Sequence, residues 1–214
     1  SIFSQPLRAV APAAFSALKS EPGRMSRAFS RVLAILSCVA MPACLAISGA
    51  AEPVVEFVYG SAWLPAAAVL LWMAAFAALK IWFELAYDYL VVQGKSGVVL
   101  LIQACSFAVA LPLMLSVVNL WQEPGVAAIQ FVVALVVSAP LYLVSLHRIG
   151  VRARSVVAAV ALPSAAGVVV WFGAWGAARL IDVPFFAAAA AGLFSLVVIA
   201  GLAWWQRDNL RRLR

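Results

Sequence analysis

The sequence predicts an all-α, polytopic transmembrane bundle, and three observations carry that prediction. Hydrophobic residues make up 66% of the 214-residue chain and charged residues only 11%, whereas a soluble domain carries about half and about a quarter. Apolar runs of roughly 20 residues, the length that crosses a hydrocarbon core, recur along the chain between polar or Gly/Pro-marked breaks. None of the runs alternates polar with apolar residues as a membrane β-strand must, so closed helices are left to satisfy the backbone in lipid. The same composition excludes a disordered chain, a collagen and a secreted disulfide scaffold. Cys38, Cys44 and Cys105 lie inside apolar runs, lack metal-ligand spacing and read as small buried side chains.

The elements follow in order. Residues 1–18 are apolar but broken by Pro6 and Pro12, and read as the end of a truncated transmembrane helix. The start at Ser1, with no signal peptide, fits a chain that begins partway through something longer. Residues 19–31 form a basic cytoplasmic link, in which Pro22 and Gly23 mark a turn that would start a helix. Residues 32–205 form the six-span bundle, with spans near 32–51, 64–92, 97–118, 125–146, 156–178 and 185–205, and residues 206–214 are a basic tail. Pro42, Pro112, Pro140 and Pro163 fall inside spans, where proline kinks a helix and neighbouring helices satisfy the freed carbonyl. Gly167, Gly173, Gly176 and Gly192 read as packing positions that let helices approach closely.

The net charge of +7 reports topology rather than a nucleic-acid partner. Thirteen of the fifteen basic side chains lie in one alternate set of segments: Arg8, Lys19, Arg24, Arg27 and Arg31, then Lys95, then Arg148, Arg152 and Arg154, then Arg207, Arg211, Arg212 and Arg214. The other set (52–63, 119–124 and 179–184) holds Arg179 alone, together with Glu52, Glu56, Glu123 and Asp182, and Lys80 lies within a span. The positive-inside rule then places both ends in the cytoplasm and makes the number of full spans even. Tyr59 and Trp63 suit a water–lipid interface.

Chemistry concentrates in the second span. Lys80, Glu84 and Asp88 follow at steps of four with Tyr87 beside them, so all four fall within about 100° of the helix circumference. A charge at that depth must face protein, water or an opposite charge. The residues therefore fit either a stripe lining an inward-open aqueous cavity or a structural Lys80–Glu84 pair with Asp88 at the interface. Arg24, Arg27 and Arg31 also share one helical face, within about 60°. That face suits either the pyrophosphate of a lipid-linked substrate or anionic lipid headgroups. His147, at a span end, reads as interfacial. No phosphate-cradling glycine loop, metal-spaced histidine pair or nucleophile beside a base occurs. The expectation is a protein that is not an enzyme, with no catalytic residues, metal or cofactor.

The run PLRAVAPAAFSALKSEPGRMSRAFSRVLAI, the stretch PVVEFVYGSAWLPAAAVLLWMA with Gly60 and Trp63, and YDYLVVQGKSG ending at Gly94 and Lys95 resemble the C-terminal half of bacterial oligosaccharide flippases. These are the Wzx-type polysaccharide biosynthesis proteins of the multidrug/oligosaccharidyl-lipid/polysaccharide exporter superfamily. The resemblance implies the C-terminal lobe of a two-lobed transporter around a central cavity, in a bacterial inner membrane. It implies movement of polyprenyl-pyrophosphate-linked oligosaccharide from the inner to the outer leaflet, for O-antigen, capsule or exopolysaccharide. A basic cavity handles the anionic substrate in that family, which makes Arg8, Lys80 and the Arg24–Arg31 face the basic candidates here. The implied partners are the lipid-linked oligosaccharide, membrane lipids, the missing N-terminal lobe, and the polymerase and glycosyltransferases of the same process. Open alternatives are a cation-coupled small-molecule exporter of the same superfamily, an integral membrane polyprenyl-lipid transferase and an assembly subunit.

Overall fold

A computed structural model describes residues 22–211, so Arg8, the helix end expected over 1–18 and the last tail residues lie outside the described residues. Among the described residues, six helices are long and apolar enough to cross a bilayer: Gly23–Gly49, Pro65–Val92, Ser96–Val118, Trp121–Arg148, Ala153–Leu180 and Pro184–Trp205. The chain is an all-α, multi-pass membrane bundle.

The first helix, α1 (Pro22–Gly49), opens on a proline whose missing N–H lies where a helix leaves its first donors unpaired anyway. Met25, Phe29 and Leu33 recur every four residues and are buried, while Arg24, Arg27 and Arg31 are exposed. From Pro22 on, the basic link expected over 19–31 is therefore the first turns of α1. The helix start expected at Pro22 and Gly23 is where α1 begins, and the three arginines lower the local hydropathy enough to separate these turns from the span they belong to.

Residues 52–63, read as an outer loop, are largely helical. The short α2 (Ala51–Tyr59) buries Ala51, Pro53 and Val55, and a single 3-10 turn (Ser61–Trp63) leads into α3 (Pro65–Val92). Phe57 packs on Phe185 (5.2 Å between ring centroids) and Tyr59 on Trp63 (6.3 Å).

Helix α3 stops at Gly94, whose φ of 72° suits a residue without Cβ. The Lys95 N–H reaches back to the Leu90 carbonyl (2.9 Å) and the Gly94 N–H to that of Val91 (2.9 Å), which closes the helix end. The same closure recurs at Gly150 (φ 90°), where the Val151 N–H bonds the Leu146 carbonyl (3.0 Å). Both turns lie at the arginine-rich end.

The next element, α4 (Ser96–Val133), is interrupted at Gln122 (φ 51°, ψ −144°) and doubles back there. Ser106 and Ser138, equidistant in sequence from Gln122, share a hydrogen bond of 2.8 Å across the two limbs. A π-helical turn (Ala134–Ser138) then leads into α5 (Ala139–Arg148), with Pro140 in its first turn. Proline removes one donor and crowds the carbonyl four residues back, and a π-turn just ahead of it accommodates the mismatch. The chain ends in α6 (Ala153–Leu180) and α7 (Pro184–Arg211).

Helix α1 is the hub. It packs most extensively against α6, next against α3 and then against α7, which also packs on α6, while the α4–α5 limbs lie beyond α3. Helices α1 and α6 run parallel and nearly touch. A Cβ built on Gly167 would sit 2.7 Å from the Leu45 Cδ1, and one on Gly49 2.5 Å from the Trp171 carbonyl oxygen. Close approach of this kind holds helices together where lipid offers no hydrophobic drive. Gly173 faces Phe194 in the same way, whereas Gly176 and Gly192 meet nothing within 4 Å, so only part of the expected glycine packing is realised.

Ser48 ties three helices together. Its hydroxyl donates to the Leu71 carbonyl of α3 (2.8 Å) and accepts from the Trp171 indole of α6 (3.2 Å). The larger core sits at the arginine-rich end, where Phe29 packs on Tyr89 (4.9 Å) amid Met25, Trp82, Leu146 and Val151. The opposite end closes on small residues, Ala50 with Ala174 and Ala191. One core thus gathers the N-termini of α1 and α6 and the turns after α3 and α5 at a single end, as the alternating charge pattern requires.

Candidate functional site

Helix α3 has little amphipathic character of its own because apolar residues surround it on nearly every side. Its charged side chains are therefore confined to one narrow face. Lys80, Glu84, Tyr87 and Asp88 lie on that face and line one cavity of about 710 Å³. The Lys80 Nζ and Glu84 Oε1 are 4.0 Å apart, one helical turn from each other. Lys80 is 58% exposed and Glu84 23%, so the ammonium stands at the cavity mouth and the carboxylate further in.

The opposite wall comes from both limbs of α4 and from α5. Gln103, Ser106, Gln130, Ser138 and Tyr142 face the α3 stripe, interleaved with Phe107, Leu111 and Met114. The Ser106–Ser138 hydrogen bond holds the two limbs together at the cavity surface. Tyr142 is buried and stacks on Phe83 of α3 (5.3 Å between centroids, 16° between planes), which joins the walls at the floor. Among the described residues the cavity thus presents one ammonium, two carboxylates and a set of amide and hydroxyl groups interleaved with aromatic side chains. Such a lining exchanges hydrogen bonds with a polyhydroxylated or phosphorylated ligand while the ion pair offers sites for either sign of charge.

Sequence reasoning singled out the α3 stripe, and the structure brings its four members to one cavity. It missed Gln103, Ser106, Gln130, Ser138 and Tyr142, each an isolated polar residue within an apolar run. The available signal was spacing: Gln103 and Ser106 at i,i+3 and Ser138 and Tyr142 at i,i+4 put each pair on one helical face. Arg24, Arg27 and Arg31 do not line the cavity. They are exposed on the first turns of α1, at the same end as Arg148, Arg152 and Arg154. Arg179, at the far end, lies over the Trp175 ring at 3.9 Å, a cation–π contact. Among the described residues, no three His, Cys, Asp or Glu side chains converge as metal ligands would.

Comparison with known proteins touches the first part of the chain. Residues 1–68 match a family model described as polysaccharide biosynthesis protein, which is 68 of 214 residues. No curated protein and no solved structure matches. Within the described residues the match covers α1, α2 and the start of α3, and it stops short of the cavity residues. This multi-pass membrane chain is thus similar over its first 68 residues to a polysaccharide biosynthesis protein family, which supports a role in polysaccharide biosynthesis.

Proposed function

We propose that this chain is one lobe of a flippase that moves polyprenyl-pyrophosphate-linked oligosaccharide across a bacterial inner membrane for surface polysaccharide assembly, with both chain ends cytoplasmic. The observation that carries the proposal is the open charged cavity at mid-span. Lys80 lies near the middle of α3 and is 58% exposed. An ammonium facing hydrocarbon there costs at least about 2.5–3.5 kcal/mol. Water and a second, facing lobe of the same polypeptide would cover that side and complete a central cavity. In it Lys80 meets the pyrophosphate, and the amide and hydroxyl groups of the opposite wall exchange hydrogen bonds with sugar hydroxyls. Arg24, Arg27 and Arg31 sit where headgroup phosphate of the inner leaflet would meet them. The match to a polysaccharide biosynthesis family supports the sugar-lipid substrate over other cargo.

A second reading draws on Glu84 and Asp88 in the same cavity: these carboxylates suit a cation-coupled exporter of small molecules. One experiment separates the readings. Cells lacking the gene that encodes this chain should lose surface polysaccharide and accumulate lipid-linked repeat units on the inner leaflet. Wild type should restore both, and the Lys80→Ala/Glu84→Ala double variant, present at the same level, should restore neither. Loss of the lipid-linked repeats themselves would instead indicate a transferase. Unchanged polysaccharide with retention of a small solute would indicate the exporter.

A further inference from the structure

Three observations converge on the joint between α4 and α5. The first is the π-helical turn at Ala134–Ser138, in which the Ala139 N–H reaches the Ala134 carbonyl five residues back. Such a turn holds one residue more than the regular spiral, so the helix on either side of it can meet in more than one register. The second is Pro140, which has no N–H to give. One carbonyl of the turn therefore lacks a helical donor, that of Leu135 in the π register or of Val136 in the regular one. The third is a buried donor on the facing helix. Trp82 of α3 is 7% exposed, and its indole N–H has no acceptor among the described residues. A buried unpaired donor is destabilising.

All three border one space. A second cavity, of about 360 Å³, lies between α3, α5 and α6, and Trp82, Leu135, Ala139, Pro140 and Leu143 line it. The charged cavity lies on the other side of the same joint, where Ala134, Ser138 and Tyr142 line it. Two contacts hold the joint on that side, the Ser106–Ser138 hydrogen bond and the Phe83–Tyr142 stack.

From this arrangement we infer that α5 is a hinged segment in the wall of the charged cavity. It pivots at the π-turn into the second cavity, where the Trp82 N–H takes the carbonyl that Pro140 leaves without a donor. That pairing joins an unmet donor to an unmet acceptor, and so offsets the loss of the Ser106–Ser138 bond and keeps the two positions close in energy. The ten residues of α5 span about 15 Å, so a tilt of about 20° moves the Arg148 end by about 5 Å. The movement carries α5 away from α4, and the charged cavity widens at the arginine-rich end. The inference takes that cavity as the site being opened, and in this respect rests on the transport reading above. The hinge itself lies within one set of helices and needs no second lobe.

The test is a distance measurement by double electron–electron resonance on the full polypeptide in lipid nanodiscs, without substrate. Nitroxide labels are placed on cysteines at Leu100 of α4 and His147 of α5, both exposed, after the native cysteines are removed. Two populations about 5 Å apart are expected, the longer being the pivoted one. Trp82→Phe keeps a ring and deletes the donor, and should lower the pivoted population about five-fold, the worth of one hydrogen bond. Because it removes an unpaired donor from the resting position, it should not lower the melting temperature. Pro140→Ala supplies the missing N–H and should lower the pivoted population as well. Ser138→Ala removes the bond to Ser106 and should raise it about five-fold. Ser164→Ala, which deletes the hydroxyl in the lining of the second cavity, should leave it unchanged. A single distance in the wild type, or populations that ignore Trp82→Phe and Pro140→Ala, overturns the inference. A loss on Ser164→Ala equal to that on Trp82→Phe overturns it too, since the serine would then be the acceptor. The distances are read without substrate, so the hinge stands or falls on them alone, while the transport reading stands or falls on the polysaccharide assay with Lys80→Ala/Glu84→Ala.

Discussion

Glycine-to-alanine substitutions along the α1–α6 contact should change stability in opposite directions according to what each new methyl meets. At Gly49 the added Cβ would lie 2.5 Å from the Trp171 carbonyl oxygen and 3.0 Å from the Ala174 Cβ. Neither is the movable end of a side chain, so the helices must separate. Overpacking of this kind costs about 1–3 kcal/mol. Gly49 is the last residue of α1, so little helix propensity is regained. At Gly167 the nearest atom is the Leu45 Cδ1 at 2.7 Å, with Met41 backbone at 3.2 Å. The leucine can rotate away, and the mid-helix alanine recovers up to about 1 kcal/mol of propensity, which leaves a small loss. Gly176 meets nothing within 4 Å, so the same substitution keeps the whole gain of up to about 1 kcal/mol. The assay is SDS titration of the purified protein in mixed micelles, read by circular dichroism. The expected stability order is Gly176→Ala, wild type, Gly167→Ala, Gly49→Ala. A Gly49→Ala protein as stable as wild type, or a Gly176→Ala protein as unstable as Gly49→Ala, would refute the close-contact account of the α1–α6 pair.

Three further outcomes are expected. Ser48→Ala removes the bond to Leu71 and strands the Trp171 indole, and should cost about 1–2 kcal/mol in the same titration; Trp171→Phe, which leaves the Leu71 bond intact, should lose less of this polar contribution, as a double-mutant cycle would show. A cysteine at position 80, in a protein freed of Cys38, Cys44 and Cys105, should react with a membrane-impermeant maleimide, and one at Val169, an exposed apolar position in the middle of α6 where lipid would shield it, should not. Reporter fusions after Arg154 and near Glu56 should give opposite signals, cytoplasmic for the first and external for the second; matching signals would undo the orientation drawn from the basic segments.

The spans were legible because bilayer thickness imposes one scale on length and hydropathy, and no other element in the chain competes at that scale. Errors fell where a local rule overrode it. Arg24, Arg27 and Arg31 lower the hydropathy of the first turns of α1, yet Met25, Phe29 and Leu33 keep the helical period beneath them. Counting period rather than mean hydropathy would have extended the span to Pro22. The nine residues of α2 carry Glu52, Pro53 and Glu56 and are too short to cross a bilayer, so they read as loop. Their helical state comes from packing Ala51 and Val55 against α3 and its neighbours. The π-turn at Ala134–Ser138 left only Pro140 as a trace. A proline states that one hydrogen bond is missing, not which register the preceding turn adopts.

Half of the cavity was legible for a different reason. The α3 stripe is a local pattern: steps of four on one helix fix a shared face whatever the tertiary structure. The opposite wall is not local, since Gln103, Ser106, Gln130 and Ser138 come from two limbs whose pairing depends on where the chain turns. Once Gln122 is known as the turn, antiparallel pairing matches residues equidistant from it, and Ser106 falls against Ser138. Pro124 and Gly125 mark that turn only approximately; a shift of the turn by one residue moves the pairing by two and breaks the serine contact. The physical demand was nevertheless present in the sequence. An ammonium and carboxylates within a span require water or polar groups across from them, and isolated polar residues within the next two apolar runs are where a bundle finds those groups. Charge on one span therefore predicts polarity on its neighbours, and the position of the turn decides which residues provide it.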